Sequence, residues 1–258
     1  MLTLEEAGAL FRLQHSRNIF EEIIAQCYTA TVEPGHLVVD AGANHGLHSW
    51  PLAELVGPEG LVLAVEPIPA LASALRQGAA ERGLEQLRVV QAALAAQKGQ
   101  AAFHWVTNAD GYSGLQPRAY PLPPATQMLT VPTTTLDALL QPQSRPWRFA
   151  KLDLEGGEFH ALQGATLSLA RHRPLLAFEN GRDPAAQGYG YTQEEWFGFF
   201  AAQGYTLHDL FGRPFTPAEW WPEGVPWYCL ATPTGGADEA ALQQHHPARL
   251  RALLAAAT

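Results

Sequence analysis

The chain has 258 residues, 47% hydrophobic and 10% aromatic, which supplies a full core and excludes a disordered protein. Its 25 acidic residues against 16 Lys and Arg give a formal charge of −9 without an evident basic patch, which argues against a nucleic-acid partner. Two distant cysteines, an N-terminal segment without an apolar leader and the lack of a long apolar run predict a cytoplasmic protein with reduced thiols that does not enter a membrane.

The first half of the chain predicts helices that are followed by alternating strands and helices. Apolar residues at helical spacing over 4–27 predict one or two amphipathic helices before the core domain. After them we expect strands over 37–41, 61–65 and 87–92, with helices over 44–56 and 69–82 between them. This alternation indicates a parallel sheet with helices on both faces.

The second half begins with an interruption of this pattern. A strand over 101–106, a loop over 107–124 and a returning strand over 128–132 predict a β-rich insertion. The further elements that we expect are strands over 149–154 and 175–179, helices over 158–170 and 192–203, an antiparallel edge pair of 205–210 with 227–231, and a helix over 238–256 that is broken near Pro247. Thr192 and Glu195 form a capping box at the start of their helix.

These elements divide the chain into three parts. We expect a helical extension over 1–33, the main domain over 34–234 and a helical tail over 235–258. The amphipathic helices of the extension would serve as a lid or as a dimer surface. A homodimer is therefore one of the two alternatives.

The most informative segment is the end of the first strand, with the sequence VDAGANHG over 39–46. Asp40 at the strand's end would repel a pyrophosphate, but it suits the cationic sulfonium and ammonium groups of S-adenosylmethionine. The glycines follow a Gly-x-x-x-Gly spacing rather than the Gly-x-Gly-x-x-Gly of dinucleotide binders. The turn therefore predicts an S-adenosylmethionine pocket, and a nicotinamide-dependent dehydrogenase is the less favoured enzymatic alternative.

The ends of the next two strands carry residues that suit the same ligand. Glu66 ends the second strand and could accept both ribose hydroxyls, whereas a lone acid there could also be a helix cap or a solvated residue. Ala92 and Ala93 follow the third strand and leave room for an adenine, although alanines are more often plain core. Ligands of doubly wound sheets bind beyond the carboxyl ends of the strands, which brings these residues together with Asp40.

A second constellation, KLDLEGGE over 151–158, lies at the end of a central strand. Because side chains alternate along a strand, one face carries Lys151, Asp153 and Glu155. Burial of three ionisable side chains there costs free energy unless they are paired or functional. Glu179 ends the next strand as a further acid. The alternatives are a catalytic group and an ion pair that only shapes the tight glycine turn.

Taken in order, these blocks resemble the FkbM family of methyltransferases. The resemblance rests on VDAGANHG (39–46), VEP (65–67), TTLD (134–137), KLDLEGGE (151–158), LQGA (162–165) and PLLAFE (174–179), and Ser113 is similar to a serine in the family's insertion. It runs from about residue 38 to about residue 179. It implies a Rossmann-like class I α/β fold with a mostly parallel seven-stranded sheet, helices on both faces and a β-rich insertion.

The resemblance also implies an activity and a site. The expected reaction is S-adenosylmethionine-dependent O-methylation of a hydroxyl on a small molecule, such as a sugar, a polyketide or another secondary metabolite. Residues expected at the cofactor are Asp40, Gly42, Ala43, Asn44, Gly46, Glu66, Pro67, Ala92 and Asp153. Asp153 would face the methyl group and act as base or metal ligand, and Lys151, Glu155 and Glu179 would complete the catalytic group. The sequence contains no recognisable spacing of metal-ligating residues. A divalent cation is an alternative that no motif supports.

Several residues leave alternatives open. His45, His48 and His160 compete for the role of base because histidine titrates near neutrality, although each is more often simply packed or exposed. Four aromatic residues of the C-terminal third could wall an acceptor site, and core packing explains them at least as well: Tyr189, Tyr191, Trp220 and Trp221. A catalytically degenerate S-adenosylmethionine-binding partner protein is the alternative from another functional class.

Overall fold

The computed structural model describes residues 1–118, 123–221 and 224–257. The strands of this part of the chain are β1 (Leu37–Ala41), β2 (Leu61–Val65), β3 (Leu87–Val90), β4 (Ala93–Leu94), β5 (Gly99–Val106), β6 (Thr126–Thr134), β7 (Trp147–Leu152), β8 (Leu175–Glu179), β9 (Tyr205–Asp209) and β10 (Tyr228–Pro233). The α-helices are α1 (Leu4–Arg17), α2 (Ile19–Thr29), α3 (Ser49–Val56), α4 (Pro69–Glu81), α5 (Leu136–Leu140), α6 (Glu158–Gln163), α7 (Thr166–His172), α8 (Arg182–Tyr189), α9 (Gln193–Ala202) and α10 (Ala237–Ala257).

The main sheet has seven strands in the order β3-β2-β1-β7-β8-β10-β9. Strands β3, β2, β1, β7 and β8 run parallel, and β10 pairs antiparallel with both β8 and β9. The predicted parallel sheet and the antiparallel edge pair are therefore confirmed. Because the chain leaves β1 towards β2 and returns later to β7 on its other side, the topological switch point lies between β1 and β7.

The two faces of the sheet bury separate cores because side chains alternate along each strand. Val38 of β1 and Phe149 of β7 belong to the face that is covered by α1, α2, α3, α4 and α10. Val39 and Leu152 belong to the opposite face, which is covered by α5, α6, α7 and α9. Asp40 and Lys151 pair in register and follow the alternation of Val38 and Phe149, so both point to the face that carries α2.

A second sheet, in the order β4-β6-β5, forms the β-rich insertion. Phe103 and Val131 pack with Ile68 and Ala93 in a small core, so the hairpin of β5 and β6 lies against the start of α4. The loop expected over 107–124 contains a short 3₁₀ turn at Asp110–Tyr112, and its residues 119–122 lie outside the described part of the chain.

Three predicted helices differ from the observed ones. The helix expected from residue 44 begins only at Ser49, because Asn44 and Gly46 have φ values of 47° and 84° in the left-handed region. The helix expected over 158–170 is two helices that are separated at Gly164. The tail helix expected to break near Pro247 is continuous, since buried Leu242 and Leu250 anchor both of its halves.

Two further differences lie beside the sheet. The strand predicted over 149–154 ends at Leu152, so Asp153 lies one residue beyond it. Helix α8 was not predicted at all, because its sequence has no clear apolar face.

The terminal helices pack against each other on one face of the sheet. Helix α1 contacts α10, and Arg251 of α10 forms a salt bridge with Glu6 at 2.7 Å. Helix α2 is buried through Phe20, Ile23 and Ile24. The division of the chain at residues 34 and 234 stays a prediction. Within the described residues, no helix combines the length and the apolar character that crossing a bilayer needs.

Candidate active site

A cavity of about 320 Å³ lies at the carboxyl ends of β1, β2 and β7, at the switch point where doubly wound sheets bind ligands. It is lined by most of the residues selected from the sequence, namely Asp40, Gly42, Ala43, Asn44, Glu66, Pro67, Ala92, Lys151, Asp153 and Glu155. Gly46 and Glu179 are not part of its lining. The residues predicted at the ends of separate strands therefore line one cavity.

A wider groove of about 890 Å³ adjoins this cavity. We call it the adjoining groove; it is bordered by Asn18, Tyr112, Glu179, Trp221, Trp227 and Tyr228. Glu21, Gly111, Asp153 and Glu155 line both spaces and mark the junction between them. A ligand in the cavity and a second molecule in the groove would meet at this junction.

Two glycines shape the turn after β1. Gly42 has a φ of 76°, and a Cβ on this residue would overlap with the carbonyl oxygen of Asp153. Gly46 has a φ of 84°, and a Cβ there would overlap with the ring of Trp50. Gly42 thus allows β1 and the segment after β7 to approach closely beside the cavity, whereas Gly46 permits the packing of Trp50 behind the turn.

Asp40 presents an unsatisfied oxygen at the cavity. Its side chain is buried, and its Oδ2 accepts a hydrogen bond from the Ser49 hydroxyl at 2.5 Å. Its Oδ1 is buried without a hydrogen-bond partner among the described residues. Since buried acceptors are normally paired, this oxygen is suited to a donor or a positive charge on a ligand.

Glu66 is fixed directly after β2 by two backbone groups. Its Oε2 accepts a hydrogen bond from the Asn44 N–H at 2.9 Å, and its Oε1 accepts one from the Ile68 N–H at 2.8 Å. Burial raises the pKa of Glu66 to about 7, the nearby charges of Asp40 and Asp110 act in the same direction, and these two hydrogen bonds act against them. A carboxylate offers about four acceptor positions, so Glu66 retains two for a ligand.

Asp153 is held at the junction by two donors. Its Oδ2 accepts hydrogen bonds from Lys151 Nζ at 3.1 Å and from the Tyr228 hydroxyl at 2.7 Å. Burial alone would raise the pKa of Asp153, but the Lys151 ammonium and the hydrogen bonds from Tyr228 and Lys151 hold it below its ordinary value. Asp153 is therefore ionised and oriented at neutral pH.

Lys151 has three carboxylates near its ammonium group. Burial acts to lower the pKa of Lys151, but the charges of Asp153, Asp40 and Glu21 outweigh burial and raise it. Among these acids, Asp153 is hydrogen-bonded to Lys151. The centre of the site therefore carries more negative than positive charge.

The side chain of Glu155 does not follow the expected strand alternation. The strand ends at Leu152, and Glu155 has a φ of 55° in the left-handed region, so period two no longer applies to it. Its carboxylate forms an ion pair with Arg118 at the edge of the cavity. The predicted strand is therefore too long, but Glu155 lines the same cavity as Lys151 and Asp153.

Glu179 and Glu158 complete a group of carboxyl side chains with Asp153, and oxygen atoms of these three residues lie within 4.8 Å of one another. Burial, followed by the charges of Asp153 and Glu158, raises the pKa of Glu179 well above its ordinary value. Oε1 of Glu158 already accepts the Leu154 N–H at 2.5 Å. Three carboxyl groups at this separation could hold a divalent cation.

The three histidines have different surroundings. His48 is buried, and its Nε2 lies 2.7 Å from Oε2 of Glu21. The side chain of His45 is 70% exposed and lies 3.5 Å from Asp110. His160 packs against the ring of Tyr189, and burial lowers its pKa. His48 alone is linked to Asp153, through Glu21 and Tyr228, so it is the histidine that best fits a role in the site.

The sequence alone did not indicate Tyr228 of β10, which contacts Asp153, or Glu21 of α2, which contacts Tyr228. The Tyr228 hydroxyl lies 3.4 Å from Oε1 of Glu21, in addition to its bond to Asp153. Tyr228 pairs in register with Glu179 across two antiparallel strands. A local motif could not reveal either residue, because both arrive through packing between distant segments.

The aromatic residues of the C-terminal third serve different purposes. Trp220 is fully buried, packs against Trp196 at 5.3 Å between ring centroids, and donates its indole N–H to Asp183 at 2.7 Å. Tyr191 is also buried and packs against Phe159 at 4.7 Å. Tyr189 lines a neighbouring cavity of about 470 Å³, and Trp221, which is 62% exposed, borders the adjoining groove.

Alanine at Trp220 and at Trp221 is expected to have opposite consequences. Trp220→Ala should lower the free energy of unfolding by about 3–5 kcal/mol, because it opens a cavity in an aromatic core and leaves Asp183 without its donor. Trp221→Ala should change it by less than about 0.5 kcal/mol. Urea titrations of both variants test this, and equal losses would contradict the assignment of Trp221 to the groove.

The chain is similar in sequence to a methyltransferase family and to two curated relatives. A sequence model described as the methyltransferase FkbM domain matches residues 40–207. Protein-L-isoaspartate O-methyltransferases of Methanopyrus kandleri and Aeropyrum pernix are 43% and 49% identical over 53 and 51 residues, 20% of this chain in each case. The matches cover 24% and 20% of these relatives, so the chain spans a quarter or less of the curated relatives it matches.

Two solved structures are similar at low identity. A methyltransferase FkbM from Methylobacillus flagellatus is 16% identical with a TM-score of 0.48, over 80% of this chain and 49% of that chain. The O-methyltransferase TomG from Streptomyces achromogenes, crystallised with S-adenosylmethionine, is 14% identical with a TM-score of 0.46, over 91% of this chain and 82% of that chain.

The fold and the cavity at its switch point define a Rossmann-like α/β methyltransferase. Since the family model spans well over half of the chain, the protein belongs to the FkbM methyltransferase family. The cofactor of this class is S-adenosylmethionine, and the cavity fits it. Asp40 offers an unpaired buried oxygen, Gly42 allows close approach of the backbone, and the acidic surroundings of Lys151 suit a cationic ligand.

Proposed function

We propose that this protein transfers a methyl group from S-adenosylmethionine to a hydroxyl group of a small molecule. The observation that carries the proposal is the position of Asp153, an ionised carboxylate held by Lys151 and Tyr228 at the junction of the cavity and the groove. The two curated relatives are named as O-methyltransferases, which supports oxygen as the acceptor atom.

Different residues around the cavity would bind different parts of the cofactor. Glu66 would accept the two ribose hydroxyls with the lone pairs that its backbone contacts leave open. Asp40, Gly42 and Asn44 would hold the methionine end beside the glycine turn. The apolar wall that follows β3, which includes Ala92, would pack against the adenine.

The bound cofactor supplies a methyl group on a sulfonium, which reacts by in-line displacement. An alcohol is scarcely ionised at neutral pH, so its proton must be removed as the oxygen attacks. Asp153 would accept this proton while the new C–O bond forms and the C–S bond breaks, leaving an ether and a neutral thioether. Lys151 and Tyr228 would keep the carboxylate aimed at the attacking oxygen.

The adjoining groove supports a small acceptor rather than a nucleic acid. It opens directly on Asp153, and its border combines the exposed indole of Trp221 with charged and polar side chains such as Glu179 and Asn18. The chain carries a formal charge of −9, whereas a phosphate backbone requires a basic surface. A polar, partly apolar ring with a free hydroxyl matches this lining.

Asp153→Asn is expected to lower methyl transfer by about 100-fold or more, because an amide cannot accept the proton. Its affinity for S-adenosylhomocysteine should stay within about threefold of the wild type, since Asn keeps the volume and a hydrogen bond. Transfer of radiolabelled methyl groups to a panel of hydroxyl compounds measures the first quantity, and calorimetric titration measures the second. Full turnover in the Asn variant would rule out Asp153 as the base.

The same assay separates two further accounts. Activity that is lost with a chelator and restored by Mg²⁺ would assign Asp153, Glu158 and Glu179 to a metal instead of a base. Tight binding of S-adenosylhomocysteine without transfer to any hydroxyl compound would favour a catalytically degenerate binding protein. The acidic turn and the family membership disfavour the nicotinamide-dependent dehydrogenase.

A further inference from the structure

Glu21 belongs to a segment outside the residues that match the family, but it lies in the wall of the cofactor cavity. Helix α2 is anchored on the sheet by Ile23 and Ile24, and Phe20 packs against Trp227 at 4.6 Å between ring centroids. Glu21 follows Phe20 directly and lines both the cavity and the adjoining groove. The N-terminal helices therefore contribute to the site itself.

Both oxygens of Glu21 are oriented by residues of the main sheet domain. Oε2 lies 2.7 Å from Nε2 of His48, and Oε1 lies 3.4 Å from the hydroxyl of Tyr228. The side chain of Glu21 is 22% exposed, whereas that of His48 is 5% exposed. A partly open carboxylate with a fixed orientation is an effective electrostatic partner for a bound cation.

Glu21 is one of three carboxylates that act on the same ammonium group. Asp40, Glu21 and Asp153 all act on the single ammonium group of Lys151. A cation bound beside these three carboxylates would be attracted to them at short range. S-adenosylmethionine brings two positive groups, the ammonium of its amino-acid end and the sulfonium that carries the methyl group.

The position of Glu21 distinguishes between these two groups. Asp40 lies beside the glycine turn, whereas Glu21 lines both the cavity and the adjoining groove. A methyl group that passes from a ligand in the cavity to a molecule in the groove must cross that junction. The sulfonium that carries it therefore belongs next to Glu21.

We infer that Glu21 is a cofactor-binding residue that recognises the sulfonium charge of S-adenosylmethionine and thereby favours the substrate over the product S-adenosylhomocysteine. This inference rests on the proposed function, since it requires S-adenosylmethionine in the cavity. It assigns a binding role to the N-terminal helix pair. It also accounts for release of the product, because the neutral thioether loses this attraction after transfer.

The test compares the affinities of both compounds by calorimetric titration of the full chain without an acceptor. Glu21→Gln removes the charge at nearly constant shape and should weaken binding of S-adenosylmethionine on the order of tenfold, with S-adenosylhomocysteine changed less than about twofold. Glu21→Met removes the hydrogen bonds as well and should give the same selective loss. Glu22→Gln is the matched control on the same helix, since Glu22 pairs with the exposed Arg17; it should alter neither affinity.

The outcomes separate this inference from the proposed function. A wild-type protein that binds neither compound contradicts the proposed function itself. A wild type that binds both, with Glu21 variants that weaken both equally or neither, overturns the role of Glu21 alone. Thermal unfolding verifies that each variant is folded, and either neutral variant is sufficient if the other fails to fold.

Discussion

Replacement of Glu66 by alanine is expected to weaken the binding of S-adenosylhomocysteine by about 100-fold or more. Each hydrogen bond from a ribose hydroxyl to a carboxylate contributes roughly 1.5–3 kcal/mol, and the variant loses two of them. The side chain is already aimed by the N–H groups of Asn44 and Ile68, so no ordering cost offsets this contribution. Glu81→Ala, on the exposed surface of the following helix, is the matched control and should bind normally.

The pKa of Glu66 gives the same prediction a pH dependence. Because burial raises this pKa to about 7, the carboxyl gains a proton as the pH falls through 7 and loses one of its acceptor positions. Wild-type affinity for S-adenosylhomocysteine should therefore decrease between pH 8 and pH 6, and Glu66→Gln should remove most of this decrease. Calorimetric titration at several pH values measures it. An unchanged affinity in Glu66→Ala would contradict the ribose assignment.

Gly42→Ala is expected to be the most disruptive single change near the cavity. The new methyl group would overlap with the carbonyl oxygen of Asp153, and a residue other than glycine is strained at a φ of 76°. Backbone would have to move on both sides of the cavity, since the overlapping atom belongs to the main chain. We expect a loss of about 3–5 kcal/mol in the free energy of unfolding, together with loss of cofactor binding.

Gly83→Ala separates the two causes of this loss. Gly83 has a φ of 65°, and a Cβ there would meet nothing within 4 Å, so its substitution imposes the backbone strain without the overlap. It should cost about 1 kcal/mol and leave the binding of S-adenosylhomocysteine unchanged. Equal destabilisation of the two variants in urea titrations would show that strain alone matters and that β1 and the segment after β7 are not closely packed at Gly42.

The parts of the site that the sequence predicted are those encoded by adjacent residues. Asp40, Gly42 and Glu66 could be placed because each follows a short buried strand, and parallel strands bring their carboxyl ends to one edge. Lys151 and Asp153 could be placed because acids and bases are rare on a central strand. The order of these blocks gave the resemblance to the FkbM family, and the match of the family model confirmed that family.

The parts that could not be predicted depend on tertiary packing or on departures from periodicity. Glu21 and Tyr228 line the site only because α2 packs on the sheet and β10 inserts beside β8. The strand expected over 149–154 was drawn too long because the alternation of side chains continues in the sequence beyond Leu152, where the strand ends. The helix expected from residue 44 was misjudged because the positive φ of Asn44, a non-glycine residue, leaves little trace in a single sequence.

A structure of the protein with S-adenosylhomocysteine bound tests the central claim most directly. We predict ribose hydroxyls within hydrogen-bonding distance of Glu66, the amino-acid end beside Asp40 and Gly42, and the sulfur atom at the junction that Glu21 and Asp153 share with the adjoining groove. A nucleoside bound elsewhere, or a sulfur atom that points away from Asp153, would contradict the assignment of this cavity as the methyl-transfer site.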